Sequence, residues 1–447
     1  MTPISPQDGT PAAKPLTRVP QPRGVPEMTT SAMEAFVCLA DTCPDTCCRD
    51  WAVPIDRADL ERMTTAMSTT PEGRERLVRL VVIGRPSRGS DALAQINLGE
   101  DGGCPMLEAD QRCGVHATLG EPALTTACSI FPRTALAVAD HLEVGGSLGC
   151  PEVARLMLLS ERPPRLQAAT KPMLPRAYVG KTISADAADA YAHHFLEVRA
   201  ALLACFQSGR DLGVGLAVAA DFAARVEEFF HAGTREFDGA QRPFSTRRLR
   251  AEIDATAGEM SATALASDLT ALDVSGEATT GVIAGFLLER RQLPHGRRFA
   301  ELLEQVFSPF MPGEPAATEL WRVYAQRRAA LHTRAGARLD RIFGNYCQHF
   351  LLRNPFTDAP TLLEYLYRLG VHVGAVRLLT VLHPDLEALL AAAPDETADA
   401  QTVERVAIHV AQTFTKAISH HPEYLVAALH QPRPPSFGRL VLLAKFL

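Results

Sequence analysis

Eight of the ten cysteines lie between Cys38 and Cys150, and two of them, Cys47 and Cys48, are adjacent. The order is Cys38-x4-Cys43-x3-Cys47-Cys48, then Cys104-x8-Cys113, then Cys128 and Cys150; the 297 residues that follow hold only Cys205 and Cys347. Neighbouring cysteines make a poor disulfide, because the bridge distorts the preferred Cα–Cα distance and S–S dihedral. A disulfide framework also needs an oxidising compartment. Met1–Thr30, with seven prolines and no apolar segment, does not read as a secretory signal. Inert buried thiols are ordinary singly, which suits Cys205 and Cys347 in their apolar helical patterns, but eight within 113 residues is too dense for that. A metal or iron–sulfur site is therefore the first expectation. Structural zinc stays open beside iron. The paired C-x2-C knuckles of zinc ribbons are missing, and so is the C-x2-C-x2-C ferredoxin run, so spacing alone names no cluster type.

The chain has 447 residues, enough for two or three domains, and its 47% hydrophobic content can fill real cores. Lys and Arg number 45 against 51 Asp and Glu, a net charge of −6, so no global field draws nucleic acid or an anionic membrane. The basic clusters Arg247-Arg248-Leu249-Arg250 and Arg290-Arg291 read as solvated helix faces. No apolar run approaches the ~18 residues of a membrane span. The expectation is a soluble, cytoplasmic protein without nucleic-acid or membrane partners.

Residues 1–30 read as a proline-rich disordered tail, 31–160 as a cysteine-rich metal or iron–sulfur domain, 161–180 as a linker and 181–447 as a helical domain. Asp56 is a helix N-cap with Asp59 at N3, and Thr70-Pro71 starts a second helix. Ala94–Leu98 can form a strand. Cys104–Leu107 and Arg112-Cys113 resemble a small hairpin with a cysteine on each arm, and Thr134–Leu148 a larger one turning at Asp140-His141. Pro122 opens a helix that carries Cys128 and ends at Pro132. Cys150-Pro151-Glu152 is a helix start, where free backbone N–H groups would stabilise a thiolate. Apolar periodicity predicts helices over 185–207, 212–230, 318–352, 360–382 and 402–418. The fold class is mainly α, with a small cysteine-rich α+β metal-binding domain packed on a larger helical domain.

In chain order, Phe36-x-Cys38, Cys43-Pro-Asp-Thr-Cys47-Cys48-x-x-Trp51 and Ile55-Asp56 resemble the opening of the flagellin lysine-N-methylase family, part of a wider group of cysteine-rich zinc/iron-chelating proteins. The likeness continues through Gly103-Cys104-Pro105-Met106-Leu107, Cys113, Leu119-Gly120-Glu121, Cys128-Ser-Ile-Phe-Pro132-Arg133 and Cys150-Pro151-Glu152-x-Ala154-Arg155. Asn345-Tyr346 and the run from Phe350 to Pro355-Phe356 resemble the family's C-terminal helical motif. The similarity covers roughly residues 36–160 strongly and 335–420 weakly. It implies methyl transfer from S-adenosylmethionine to flagellin lysines by a protein with a cysteine-bound iron–sulfur cluster of 4Fe-4S type. Residue by residue, Cys38, Cys43, Cys47, Cys48, Cys104, Cys113, Cys128 and Cys150 match the family's cysteines as metal ligands, and Arg133 matches its Pro-Arg pair as a cofactor-binding residue. The other reading is a non-methylating iron–sulfur or zinc protein, a redox carrier or a scaffold.

A cubane takes four thiolates, so eight cysteines could hold two clusters, one cluster with a separate metal, or one with spare ligands. Cys47 and Cys48 should diverge, leaving at most one of them in the same iron set as Cys43. His116 and His141 are further candidate ligands. No S-adenosylmethionine motif is legible. Cys43-x3-Cys47 fits the first half of C-x3-C-x2-C, but Asp50 holds the last position, and Gly213-Val-Gly215 lies within a helical pattern that needs glycine for packing. Trp51, Phe131 and Phe36 are candidate shields for a cluster.

Overall fold

The protein is described by a computed structural model covering residues 25–51, 53–83, 92–184, 190–207, 210–233, 246–260, 267, 271–272, 275–289, 296–310, 316–419 and 437–447. It is mainly helical, with two small sheets. Most of the 1–30 tail lies outside these residues, but its end, Glu27–Thr30, is a strand, β1, rather than disordered. The reason is non-local pairing: β1 runs parallel to β6 (His141–Gly146) and antiparallel to β7 (Leu166–Ala168). β7 also falls in the stretch read as a linker, so that stretch includes an edge strand. β5 (Arg133–Val138) pairs with β6 as the expected hairpin and runs parallel to β8 (Lys181–Ile183), giving the order β7-β1-β6-β5-β8. The second sheet holds β2 (Pro54–Ile55), β3 (Val81–Ile83) and β4 (Ala94–Ile96), with β4 in the centre.

Caps fall where the sequence puts them. The Asp56 carboxylate accepts from Asp59 N–H, and the Thr70 hydroxyl accepts from Gly73 N–H ahead of the Pro71–Leu80 helix. Pro122 begins only a single 3₁₀ turn, Glu121–Ala123. Leu124 and Thr125 are extended, and Thr125 then caps a separate helix, Thr126–Ile130, by accepting from Cys128 N–H.

Two apolar cores result. The smaller gathers Val53, Ile55, Met63, Leu80, Ile96 and Met106, with Cys104, Cys113 and Cys128 packed against it. The larger joins the inner face of the five-stranded sheet to the helices and includes Cys150, Cys205 and Cys347. Its framework is Leu212–Gly233, Ala317–Arg353 (kinked at Ala335), Leu362–Leu382, Glu396–Phe414 and Phe437–Phe446. Among the described residues, no helix is long and apolar enough to cross a membrane.

Gly213 and Gly215 serve helix packing. A Cβ on Gly213 would lie 2.2 Å from the Ala444 carbonyl oxygen, and one on Gly215 2.7 Å from that of Cys205. Gly213→Ala must push the Phe437–Phe446 helix away, and is expected to cost about 1–3 kcal/mol in a denaturant titration. A midpoint equal to that of the parent would show that this contact is loose.

Candidate metal centre

Three backbone features gather the cysteines. Cys104 N–H donates to Cys48 C=O (2.8 Å) and Asp50 N–H to Gly102 C=O (3.0 Å), which lays the Cys43–Asp50 loop beside the Gly102–Cys104 turn. The turn needs Gly102, whose φ is +74° and whose absent Cβ would lie 2.4 Å from Asp50 Oδ1. A bridge between Leu107 and Cys113, with Glu108 N–H donating to Arg112 C=O (2.9 Å), closes the hairpin that carries Cys104 and Cys113. Cys128 stands on the Thr126–Ile130 helix, and Cys150 is the N-cap of Pro151–Leu158.

The vicinal side chains meet rather than diverge. Cys48 Sγ lies within hydrogen-bonding reach of both Cys47 and Cys113, so these sulfurs form a row. Of the three, Cys48 is the one held protonated: the neighbouring Cys113 and Cys47 sulfurs, with burial behind them, drive its thiol far above the ordinary range. The same contact lowers Cys113 to about 6, helped by the His116 and Val115 N–H groups. Cys47, an exposed residue, is lowered too, first by Cys48 and then, against the desolvation of its sulfur, by the Lys416 ammonium. Around this row, burial pushes Cys104 up to about 11 and Cys128 to about 12, and each lies close enough to Cys47 and Cys113 to feel their charge. Cys43 is raised by burial and feels Cys38 and Cys47. Cys150 caps Pro151–Leu158 by position, without a side-chain cap hydrogen bond, and burial takes its thiol up to about 11 against the nearby Val153 and Glu152 N–H groups; Cys43 and Cys47 lie within its electrostatic reach.

All eight candidate cysteines thus occupy one electrostatic neighbourhood with Cys47 at its hub, and all are free thiols. Cys205 and Cys347 are fully buried elsewhere in the helical core. Among the described residues, no three His, Cys, Asp or Glu side chains form a ready-made metal cage. The donor chemistry still fits a soft metal, since thiols gathered this closely bind by losing the protons they now share.

Arg133, at the start of β5, stands 5.3 Å over the Phe36 ring, with Cys38 and Cys150 nearby. Its Nε is buried without a hydrogen-bond partner, and burial lowers its pKa. Tyr346, by contrast, is buried within the helical core. Trp51 Nε1 donates to Cys47 C=O (2.5 Å), and its ring lies 5.3 Å from that of Phe131, so Trp51 stands beside the cysteine loop with Phe131 packed against it. His141 is held by Glu143 (3.0 Å) and Asp140 (3.3 Å), and His116 is exposed next to Cys113. A surface groove of about 400 Å³ opens beside Cys104, lined also by Arg49, Asp101, Glu108 and Gln111.

Sequence reasoning missed the charges behind the thiols. Asp45, inside the Cys43–Cys47 loop, is buried against Lys416, Gln412 and Arg298. The only signal was an acid between two cysteines and a lysine within an apolar helical stretch.

The chain is similar to two proteins named lysine-N-methylase and to one named a flagellar biosynthetic protein. It is 29% identical over 126 residues to a lysine-N-methylase of Salmonella typhimurium, covering 28% of this chain and 30% of that protein. The same identity over 126 residues relates it to the flagellar biosynthetic protein FliU of Salmonella muenchen, covering 71% of that protein, and to a lysine-N-methylase of Salmonella choleraesuis, covering 30%. The relation is distant, and the match spans under a third of the two lysine-N-methylases. No protein-family model and no solved structure matches the chain.

Proposed function

We propose that this chain is a protein-lysine N-methyltransferase acting on flagellin, with S-adenosylmethionine as methyl donor and a cysteine-ligated iron–sulfur cluster. The observation that carries the reading is the gathering of eight free thiols around Cys47, in a chain distantly related to lysine-N-methylases. Cys38, Cys43, Cys47, Cys48, Cys104, Cys113, Cys128 and Cys150 are the residues from which the ligands are drawn, and the small core from Val53 to Ala123 is their support. A bound cluster would supply a rigid thiolate anchor and a route for electrons. Thiolate ligation suits a reducing compartment, so the proposed location is the cytoplasm.

Arg133 is assigned to the donor's carboxylate: a guanidinium with an unpartnered buried Nε is suited to a bidentate anion. Methyl transfer itself needs a neutral lysine, whose free pKa is about 10.4. The nitrogen lone pair forms the N–C bond as the C–S bond breaks, S-adenosylhomocysteine departs, and the ammonium proton passes to water.

The test is protein expressed with iron and purified without oxygen. It should be brown and bind S-adenosylmethionine by calorimetry, and it should add methyl mass to flagellin lysines. Cys43→Ala or Cys104→Ala should bleach it and lower its stability, because thiolate–metal bonds form only in the folded state. Cys205→Ala should keep the colour. A colourless protein with stoichiometric zinc would end the iron–sulfur reading, and failure to bind S-adenosylmethionine would end methyl transfer.

A further inference from the structure

Asp45 sits between Cys43 and Cys47, and its carboxylate is tied to side chains of the helical part of the molecule. It is 5% exposed. Oδ2 accepts from Lys416 Nζ (2.7 Å) and from Gln412 Nε2, and Oδ1 is paired with Arg298 Nη1 (2.8 Å). Lys416 is equally buried, and its Nζ also donates to the Thr46 carbonyl (2.9 Å). Gln412, one helical turn before it, donates to the Gly149 carbonyl as well (3.2 Å). A single helix end therefore grips two cysteine segments more than a hundred residues apart, the Cys43–Cys48 loop and the residue before Cys150. The helix is irregular there. Glu396–Phe414 passes into a π turn, Thr415–Ser419, which carries Lys416, and such turns recur at functional sites. The cleft beside Asp45, Lys416 and Arg298 has room for one water, about 10 Å³, and the 5% exposure of Asp45 and Lys416 limits the competition of solvent for their pair.

We propose that Asp45, Lys416 and Gln412 are positioning residues: a buried latch through which the helical part registers Cys43, Cys47 and Cys48 against Cys150 for metal binding. This rests on the thiol-ligation reading above. A buried carboxylate that loses its cation becomes an uncompensated charge, and it reorganises or hydrates. Here it would carry the ligand loop with it. Removing Lys416 leaves Asp45 the uncharged Gln412 and the cation of Arg298, which is 41% exposed, whereas Asp45→Asn leaves two cations facing an amide. Asp45→Asn should therefore be the more severe change.

The experiment measures metal retained per chain after anaerobic loading with iron and sulfide, and the half-time of its extraction by a chelator. It is joined to amide hydrogen exchange over residues 43–50. Lys416→Met should shorten the half-time at least tenfold and speed loop exchange by a similar factor, with Asp45→Asn larger still and Asp45→Asn/Lys416→Met less than the sum of the two. Arg334→Met is the control. It breaks a buried pair with Asp399 on the same Glu396–Phe414 helix, and should lower stability without altering extraction. If Lys416→Met does not fold, Gln412→Leu is judged by the same criteria. Wild-type protein that takes up no metal would overturn the thiol-ligation reading. Wild-type protein that holds metal, with extraction and loop exchange unmoved by Lys416→Met, would overturn the latch. An Arg334→Met protein that releases metal as fast as Lys416→Met would overturn it too, reducing the effect to general stability.

Discussion

Arg199→Met is expected to lower stability by about 3–5 kcal/mol, the range for stripping one partner from a buried ion pair. Arg199, on the Phe195–Cys205 helix, meets Glu143 of β6 in a two-pronged bridge, Nη1 to Oε2 and Nη2 to Oε1, both 2.6 Å. The side chains are 6% and 4% exposed, so water cannot replace the lost cation. Among the described residues, His141, 3.0 Å from Oε1, would remain beside the carboxylate. The guanidinium also lies 4.7 Å over the Phe195 ring, and that packing is lost as well. Glu143→Leu/Arg199→Met should recover much of the loss, because desolvating an ion pair costs about as much as the pair returns. Denaturant midpoints of the three proteins check this. A single change costing under ~1 kcal/mol would mean that the bridge behaves as a surface pair.

That bridge shows where the sequence is legible and where it is not. Arg133–Val138 and His141–Gly146 flank a turn signal at Asp140-His141, so the hairpin reads directly, as do the caps at Asp56 and Thr70. Strands of three or four residues, such as β1, β7 and β8, carry too little periodicity to register, and their pairing depends on partners far along the chain. The cysteine neighbourhood could be inferred from density alone, since few other causes crowd eight thiols into one segment. Its internal order could not. That Cys47 and Cys48 meet, with Cys48 between Cys47 and Cys113, depends on backbone pairing with Gly102–Cys104 and on the positive φ of Asp50. Lys416 was hidden for the opposite reason. It lies in an apolar helical run, where a lysine reads as a break in the pattern until Asp45, some 370 residues away, is seen beside it.

Acid should weaken the fold well before carboxylates titrate, because two histidines are buried neutral in the helical core. His349 and His372 are 5% and 3% exposed. Burial, helped by the nearby Arg353 cation, takes each down to about 3 from an ordinary 6.5. His372 is the starker case, for neither ring nitrogen has a hydrogen-bond partner, and the edges of Phe350 and Phe414 pack at 5.1 and 5.3 Å. Between pH 6.5 and 3 the unfolded chain takes up protons that the folded chain refuses. The stabilising contribution is complete above pH 6.5 and is lost as the pH falls toward 3. Each histidine contributes a slope of about 1.4 kcal/mol per pH unit, so the pair should remove roughly 5 kcal/mol between pH 6 and 4. His372→Phe keeps a ring between Phe350 and Phe414 and deletes one titration, so about half of that slope should vanish. Denaturant titrations at pH 7, 5.5 and 4 measure it as a difference between variant and parent, in which acid effects common to both cancel. Parallel curves for the two proteins would show that His372 takes a proton in the folded state as readily as in the unfolded one.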